Sequence, residues 1–451
     1  MSFTSPFTQP FAHNLSGHRH RTRPIAVDLF AGVGGFSLGI EQAGFDVVAA
    51  LDIDPVHAAV YSYNFPHTTV LCADATKVSA KAIENAAIRG WISHPVEIYR
   101  HRPVKPWQGE IDLVIGGPPA EGFSQTNKRE LQDERNDLVF EFSRLVRELQ
   151  PRYFVMENVT NLLDAPYDDL RKKLLEDLAA GGYHITQPVQ EINARNFGVP
   201  QDRSRLFILG TRIGYPLLEY PEFSANDPDA IQVTVGDAIA DLPNVDRWHK
   251  LLGTDELLLT PEQLLECEQR SSQYARSLRG LIPDPHNLGY PRQWNPQMLT
   301  GAMRTVHTEA SAKRFATTPM GKVEPQSRLR RLDINHVCPP LRAGTGNDRG
   351  RHTSPRPIHP KHPRVISVRE AARLHSFPDW FRFHATKWHG FRQVGNALPP
   401  LLARAIGAKV VQNLELHPLT LPPDSPALEL GDLRLLWMSP SEASDYWQKI
   451  N

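Results

Sequence analysis

Between residues 25 and 210, short apolar runs alternate with stretches whose apolar positions recur at helical spacing. Ile25–Phe30, Val47–Leu51, Thr69–Cys72, Leu113–Ile115, Tyr153–Met156 and Leu206–Leu209 read as strands. Gly35–Gln42, Leu138–Leu149 and Tyr167–Ala180 read as helices. Strands alternating with helices predict an α/β architecture, a mostly parallel sheet covered on both faces.

Past Gly214 the periodicity weakens, and Pro, Asn, Asp and Arg become frequent. Capped helices can still be placed. Thr234 with Asp237 opens one. Thr260-Pro261-Glu262-Gln263 opens another, an acidic helix running to Gly280, with Pro at its first position and Gln at its third. Turns and basic residues dominate from Pro283 to Pro363. Ser367 and Glu370 form a capping box ahead of Ala371–Leu374, and Pro399–Val411 reads as a further helix. After Leu414 come a Pro-rich linker, a short apolar strand (Leu433–Trp437) and a helix capped by Ser439 and Glu442. The expected organisation is a flexible polar tail at 1–23, an α/β unit at 24–213, a smaller irregular unit at 214–363, a return to the first unit at 364–410 and an extension at 411–451. No internal repeats are visible.

Composition changes this picture little. The chain has 451 residues, 40% hydrophobic and 22% charged, which leaves room for two or three domains with a substantial core. No run approaches the roughly 20 apolar residues of a membrane span, and residues 1–23 lack the apolar stretch of a secretory signal. Cys72, Cys267 and Cys338 stand far apart, a spacing that suits neither a disulfide framework nor a zinc site and fits a reducing cytoplasm. No metal is expected. Net charge is zero, but nine Lys and Arg residues between Arg328 and Arg364 face only Asp333 and Asp348. That is a local basic segment in a neutral chain.

The turn Asp28-Leu29-Phe30-Ala31-Gly32-Val33-Gly34-Gly35-Phe36 sits between a strand and a helix. Glycines there allow a tight turn and close approach of a ligand to the free N–H groups of the helix. Asp52 ends the next strand, 20 residues after Gly32, where nucleotide-binding α/β folds place an acid on ribose hydroxyls. Asp74 follows the third strand and can take an adenine amino group. The set points to an adenosine-containing ligand. By itself it also describes a dehydrogenase.

The whole turn closely resembles the S-adenosylmethionine motif of the cytosine carbon-5 DNA methyltransferases. Four further strings match that family in its usual order: Gly117-Pro118-Pro119-Ala120, Glu157-Asn158-Val159, Gln201-Asp202-Arg203-Ser204-Arg205 and Gln393-Val394-Gly395-Asn396-Ala397. Phe197-Gly198-Val199-Pro200 and Arg369–Leu374 strengthen the match, which covers about half of the chain. The resemblance implies a Rossmann-like methyltransferase domain with a smaller target-recognition domain, of bacterial restriction-modification type. It implies that Phe30, Ala31, Gly32, Gly34, Gly35, Asp52, Ile53, Asp74, Ala75, Pro118 and Asn396 hold S-adenosylmethionine, or its product S-adenosylhomocysteine. Phe30 and Ile53 would pack on the adenine, Asp52 hold the ribose and Asp74 the adenine edge. Glu157, Arg203 and Arg205 are the implied catalytic residues.

In such an enzyme a thiolate adds to carbon 6 of cytosine, breaks the aromaticity and makes carbon 5 nucleophilic. Glu157 would neutralise ring nitrogen 3 and Arg205 hydrogen-bond the carbonyl. The family has a cysteine where this chain has Ala120, and alanine cannot attack. Two readings follow: an active enzyme converted by a Cys-to-Ala change, or a natural paralogue that kept binding and discarded catalysis. An RNA cytosine methyltransferase of the same fold is a third.

The expected partner is double-stranded DNA with a flipped cytosine, since a stacked base hides carbon 5 from an enclosed pocket. Ser124, Gln125, Lys128 and Arg129 follow the nucleophile position and resemble the loop that closes over DNA. Arg342, Thr345, Arg349 and Arg351 lie in the basic, Gly-rich part of 214–363, suited to phosphates and base edges. The remaining expectations are a monomer on DNA, a cognate restriction endonuclease as functional counterpart, and a prokaryotic cytoplasmic, nucleoid-associated location.

Overall fold

The computed structural model describes residues 23–93, 109–119, 138–223, 232–344, 356–416 and 426–450. The strands are β1 (Ile25–Leu29), β2 (Asp46–Asp52), β3 (Thr69–Cys72), β4 (Leu113–Gly116), β5 (Tyr153–Asn158), β6 (Tyr183–Ile185), β7 (Gln190–Asn193) and β8 (Ser204–Arg212), with a small pair β9 (Leu257–Leu258) and β10 (Met298–Leu299). The helices of the first half are α1 (Gly35–Gln42), α2 (Pro55–Asn64), α3 (Ala80–Ser93), α4 (Leu138–Leu149) and α5 (Asp168–Ala180). Those that follow are α6 (Val235–Ile239), α7 (Pro261–Arg270), α8 (Gln273–Leu278), α9 (Glu309–Thr317), α10 (Val368–Leu374), α11 (Lys387–Asn396), α12 (Pro400–Asn413) and α13 (Pro440–Ile450).

The main sheet runs β3-β2-β1-β4-β5-β8-β6, with β7 also paired to β8. β1 to β5 are mutually parallel, whereas β8 is antiparallel to β5, β6 and β7. Period-two alternation divides each strand between two cores. Val27, Leu29, Phe154 and Met156 pack with α3, α4 and α5. Ala26, Leu113, Tyr153 and Val155 pack with α1 and α12 on the opposite face. The mostly parallel, doubly covered sheet read from the sequence is therefore the observed one. Its order reverses between β1 and β4, the crevice where such sheets bind ligands beyond the carboxyl ends of their strands.

A third core joins α2, α6, α10 and a knot of Phe377, Phe381 and Phe383. Residues 214–363 contain two small clusters, around Leu251, Cys267 and Leu299 and around Phe315 and Ile358. Their Val235, Ile239, Leu332 and Leu341 belong to the third core, together with Ala31 and Val33 of the glycine-rich turn. Among the described residues no helix is long and apolar enough to cross a membrane.

Four expectations are corrected. Arg23, placed in the flexible tail, is buried: its Nε donates to Asp46 at 2.7 Å, and its other nitrogens to the carbonyls of Leu288, Glu41 and Phe45. β1 ends at Leu29, because Phe30 adopts a left-handed φ of 60° and turns the chain. The acidic stretch 260–280 is two helices. Ser271 is extended, and the Ser272 hydroxyl accepts from Ala275 N to cap a new start. Leu433–Trp437 is a 3₁₀ turn (Leu433–Leu436) capped by Asp432, not a strand.

Candidate active site

The carboxyl ends of β2, β1, β4 and β5 bring together Asp52, the Phe30–Gly35 turn, the Gly117-Pro118-Pro119 segment and Glu157. Register aligns them: Leu29 lies opposite Leu51 and Gly116, and Gly116 opposite Met156. Gly32 and Gly34 have φ of 55° and 94°, values that L side chains rarely adopt. At Gly34 a Cβ would lie 2.4 Å from the Phe65 ring, whereas at Gly32 the space is open within 4 Å. Ala31 N donates to Leu51 O and Gly34 N to Ala31 O, both at 2.9 Å, which closes the turn. Under it lies a network that the sequence reading did not include. Ser37 Oγ donates to the buried Asp28 carboxylate at 2.6 Å and shares a 2.7 Å bond with the Tyr61 hydroxyl. Burial pushes the Asp28 carboxyl up to about 8, and the Ser37 bond offsets this only in part.

Asp52 Oδ2 accepts from Gly32 N and its Oδ1 from Asp54 N, each at 2.8 Å. Burial pushes its carboxyl up, opposed by His57 and these two N–H groups. His57, also absent from the sequence reading, lies 3.8 Å from both Asp52 Oδ1 and Asp54 Oδ2. A signal for it existed: Asp54-Pro55 is a helix start, and His57 is the third residue of that helix. Asp74 Oδ1 accepts from Thr76 N and Thr76 Oγ1, which hold its carboxyl below the usual range. Ala75 behind it is buried. Ile53 is 65% exposed, an apolar side chain presented beside Asp52. The open cradle at Gly32, the tethered Asp52 and the uncovered Ile53 fit the adenosine part of S-adenosylmethionine. Phe30, half-buried and strained, is the other apolar flank.

At the chemical end, Arg205 Nε donates to Glu157 Oε1 at 2.8 Å, with the two side chains 20% and 17% exposed. Glu157 pairs with Phe207 across β5 and β8, so Arg205, two residues before it, shares its face. A Cβ on Gly117 would lie 2.9 Å from Glu157 Oε2, so the loop root runs close against this carboxylate. Asn158, buried, donates to Pro118 O at 3.4 Å and ties the loop to β5. Arg203 does not share this arrangement. It is buried, and its donors go to the carbonyls of Leu341, Gly395 and Ala397. It is placed as a strut, not as a group facing a substrate. Asn396, the last residue of α11, is exposed next to it.

Arg342 is exposed at the mouth of a cleft of about 290 Å³ that Arg328, Arg330 and Arg356 also line, together with Pro339, Pro340 and Pro357. Ala120, Ser124, Gln125, Lys128, Arg129, Thr345, Arg349 and Arg351 lie outside the described residues.

The chain is similar to known proteins in sequence and fold. A family model described as C-5 cytosine-specific DNA methylase matches residues 25–412. The type II methyltransferase M.XorII of Xanthomonas oryzae pv. oryzae is 46% identical over 423 residues, 94% of this chain and 92% of that protein. The type II methyltransferase M1.HphI of Haemophilus parahaemolyticus is 33% identical over 389 residues, 86% of each chain. A solved DNA modification methyltransferase encoded within an E. coli prophage superposes with a TM-score of 0.65 at 32% identity, covering 87% of this chain and 99% of that one. The Entamoeba histolytica methyltransferase EhMeth, at 12% identity and a TM-score of 0.51, shares the fold. The chain thus belongs to the C-5 cytosine-specific DNA methylase family, whose methyl donor is S-adenosylmethionine.

Proposed function

We propose that this chain is a sequence-specific DNA cytosine carbon-5 methyltransferase with alanine at its nucleophile position, so that it binds cofactor and DNA without turnover. The observation that carries this reading is the Glu157–Arg205 pair, held at 2.8 Å beside a loop root that leads into Ala120. When bound, S-adenosylmethionine supplies an electrophilic methyl group. Asp52, Ile53 and the Phe30–Gly35 turn hold its adenosine end. Glu157 hydrogen-bonds ring nitrogen 3 of the cytosine, and Arg205 orients Glu157 and reaches the carbonyl. Ala120 has no lone pair to add to carbon 6, so covalent activation cannot begin.

Glu157 and Arg205 sit largely below the surface, out of reach of a stacked base, which favours a flipped cytosine as the bound form. The arginine-lined cleft within 214–363 supports a target-recognition role for that unit. Type II relatives point to a restriction endonuclease of matching specificity as the functional counterpart, with this chain acting as a monomer on DNA in a prokaryotic cytoplasm, at the nucleoid.

Restoring the sulfur tests the reading. Ala120→Cys should raise incorporation of labelled methyl groups into DNA by several orders of magnitude over the Ala120 chain. Incorporation at background, with both ligands still bound, would favour a natural non-catalytic paralogue. Labelling of RNA and not DNA would favour the RNA reading. Failure of the Ala120 chain to bind either S-adenosylhomocysteine or DNA overturns the proposal altogether.

A further inference from the structure

The segment 426–450 lies beyond residue 412, where the family match ends, and the reaction described above uses none of its residues. It nevertheless packs against α2, which begins three residues after Asp52. Leu435, Leu436 and Trp447 are buried in the same core as Ala58, Ala59 and Val60 of α2. Gly431 N donates to Tyr63 O at 2.8 Å, near the end of α2. At its beginning, Trp447 Nε1 donates to Pro55 O at 3.0 Å.

Pro55 is the first residue of α2, and the chain preceding it is short and fully tied. Asp54 caps α2 by accepting from Val56 N and His57 N, and its own N–H donates to Asp52 Oδ1 at 2.8 Å. The third residue of α2, His57, lies against both carboxylates, and its Nε2 is buried without a hydrogen-bond partner. Wherever the first turn of α2 sits, Asp52 and Ile53 must follow. Family-matched residues alone leave that turn without the indole contact. A second tether reaches the same region, because Leu436 O accepts from Ala385 N at 2.9 Å and Met438 O lies 3.0 Å from His384 Nε2.

We infer that residues 426–450 are a positioning element of the cofactor site, with Trp447 as the residue that fixes the Asp52–Ile53–Asp54 turn through the first turn of α2. This rests on the reading of that turn as the S-adenosylmethionine site. Trp447 touches no substrate; it acts through Pro55. Positioning couples the two places reciprocally, so cofactor must stabilise α13 as much as α13 stabilises the bound cofactor.

The test uses the full chain and S-adenosylhomocysteine, titrated by calorimetry. Trp447→Phe keeps an aromatic ring and removes the N–H. It should weaken S-adenosylhomocysteine binding about fivefold, the scale of one neutral hydrogen bond, and leave DNA affinity unchanged. Glu442→Ala is the control for stability. It removes the carboxylate that accepts from Ser439 N and Ser439 Oγ at the start of α13, without touching Pro55. If the two variants lose cofactor affinity only in proportion to their loss of melting temperature, the segment is merely stabilising and the inference falls. If Trp447→Phe does not fold, hydrogen exchange on the unaltered chain decides. Saturating S-adenosylhomocysteine should slow exchange of the amides in 440–450, and unchanged exchange there overturns the inference. No binding by the unaltered chain would remove the cofactor-site reading itself, an outcome distinct from equal binding by the chain and its variant.

Discussion

At the scale of single residues, the site is governed by carboxylates in unlike surroundings. Asp28 is enclosed and pushed up to about 8, while Glu157 is held by a guanidinium at 2.8 Å. Because Asp28 binds its proton more tightly folded than unfolded, its contribution to stability is full below about pH 4. It is lost progressively as pH rises to about 8. Asp28→Asn keeps an acceptor for Ser37 and abolishes the titration. Its melting temperature should therefore exceed that of the unaltered chain at pH 9 by several degrees, and the gap should shrink towards pH 5. Equal gaps at both pH values would mean that the carboxyl is not the titrating group. Glu157 is proposed to act in the chemistry instead. In an Ala120→Cys background, Glu157→Gln should lower the rate of methyl transfer about 10²- to 10⁴-fold, the usual contribution of a positioned proton donor. Cofactor affinity, measured separately, should stay as it was.

At the scale of elements, the caps and the parallel strands were legible because each is a local pattern. Ser367 and Glu370 read as a capping box, and the structure forms it with both reciprocal hydrogen bonds. Thr260 with Gln263 and Thr234 with Asp237, read as helix starts, form the same reciprocal pair. The edge strand Gln190–Asn193, which helps hold the strand of Arg205, was not legible, since three of its four residues are polar and no alternation marks it. Leu433–Leu436 failed in the other direction, because four mostly apolar residues carry no period and Asp432 decided the turn. Non-local partners are equally invisible. Glu370 accepts two bonds from Arg364, at 2.8 and 2.7 Å, with both side chains under 5% exposed. Arg364 and His359 hold its carboxyl far below the usual range against the opposing effect of burial. Glu370→Gln leaves that buried guanidinium with only Asp246, at 3.5 Å, as counter-charge, at a cost of about 3–5 kcal/mol. A melting temperature lowered by about 3–5 °C is expected at neutral pH. A fall of a degree or less would show that water reaches the pair.

At the scale of the whole molecule, the motif order in the sequence named Glu157, Arg203 and Arg205 together, and the fold separates them. Arg203 and Arg205 are two residues apart on one side of the sheet edge, yet only Arg205 pairs with Glu157. Arg203 turns inward and reaches two segments far apart in sequence: Leu341 ahead of the arginine-lined cleft, and Gly395 with Ala397 at the end of α11. Burial and the neighbouring Arg205 hold its guanidinium well below the usual range, so this position is costly, and its two terminal nitrogens are committed to the backbone. Gln201 works alongside it, donating to Leu374 O and accepting from Leu341 N. The region proposed to read DNA is thereby anchored to the strand that carries Arg205. Arg203→Lys keeps a cation but cannot span three carbonyls with the same fork. In an Ala120→Cys background this variant should weaken DNA binding about tenfold or more, while kcat at saturating DNA changes by less than about threefold. A group acting on the reacting base gives the opposite split, a large fall in kcat with DNA affinity retained. That outcome would return Arg203 to the catalytic set beside Glu157 and Arg205.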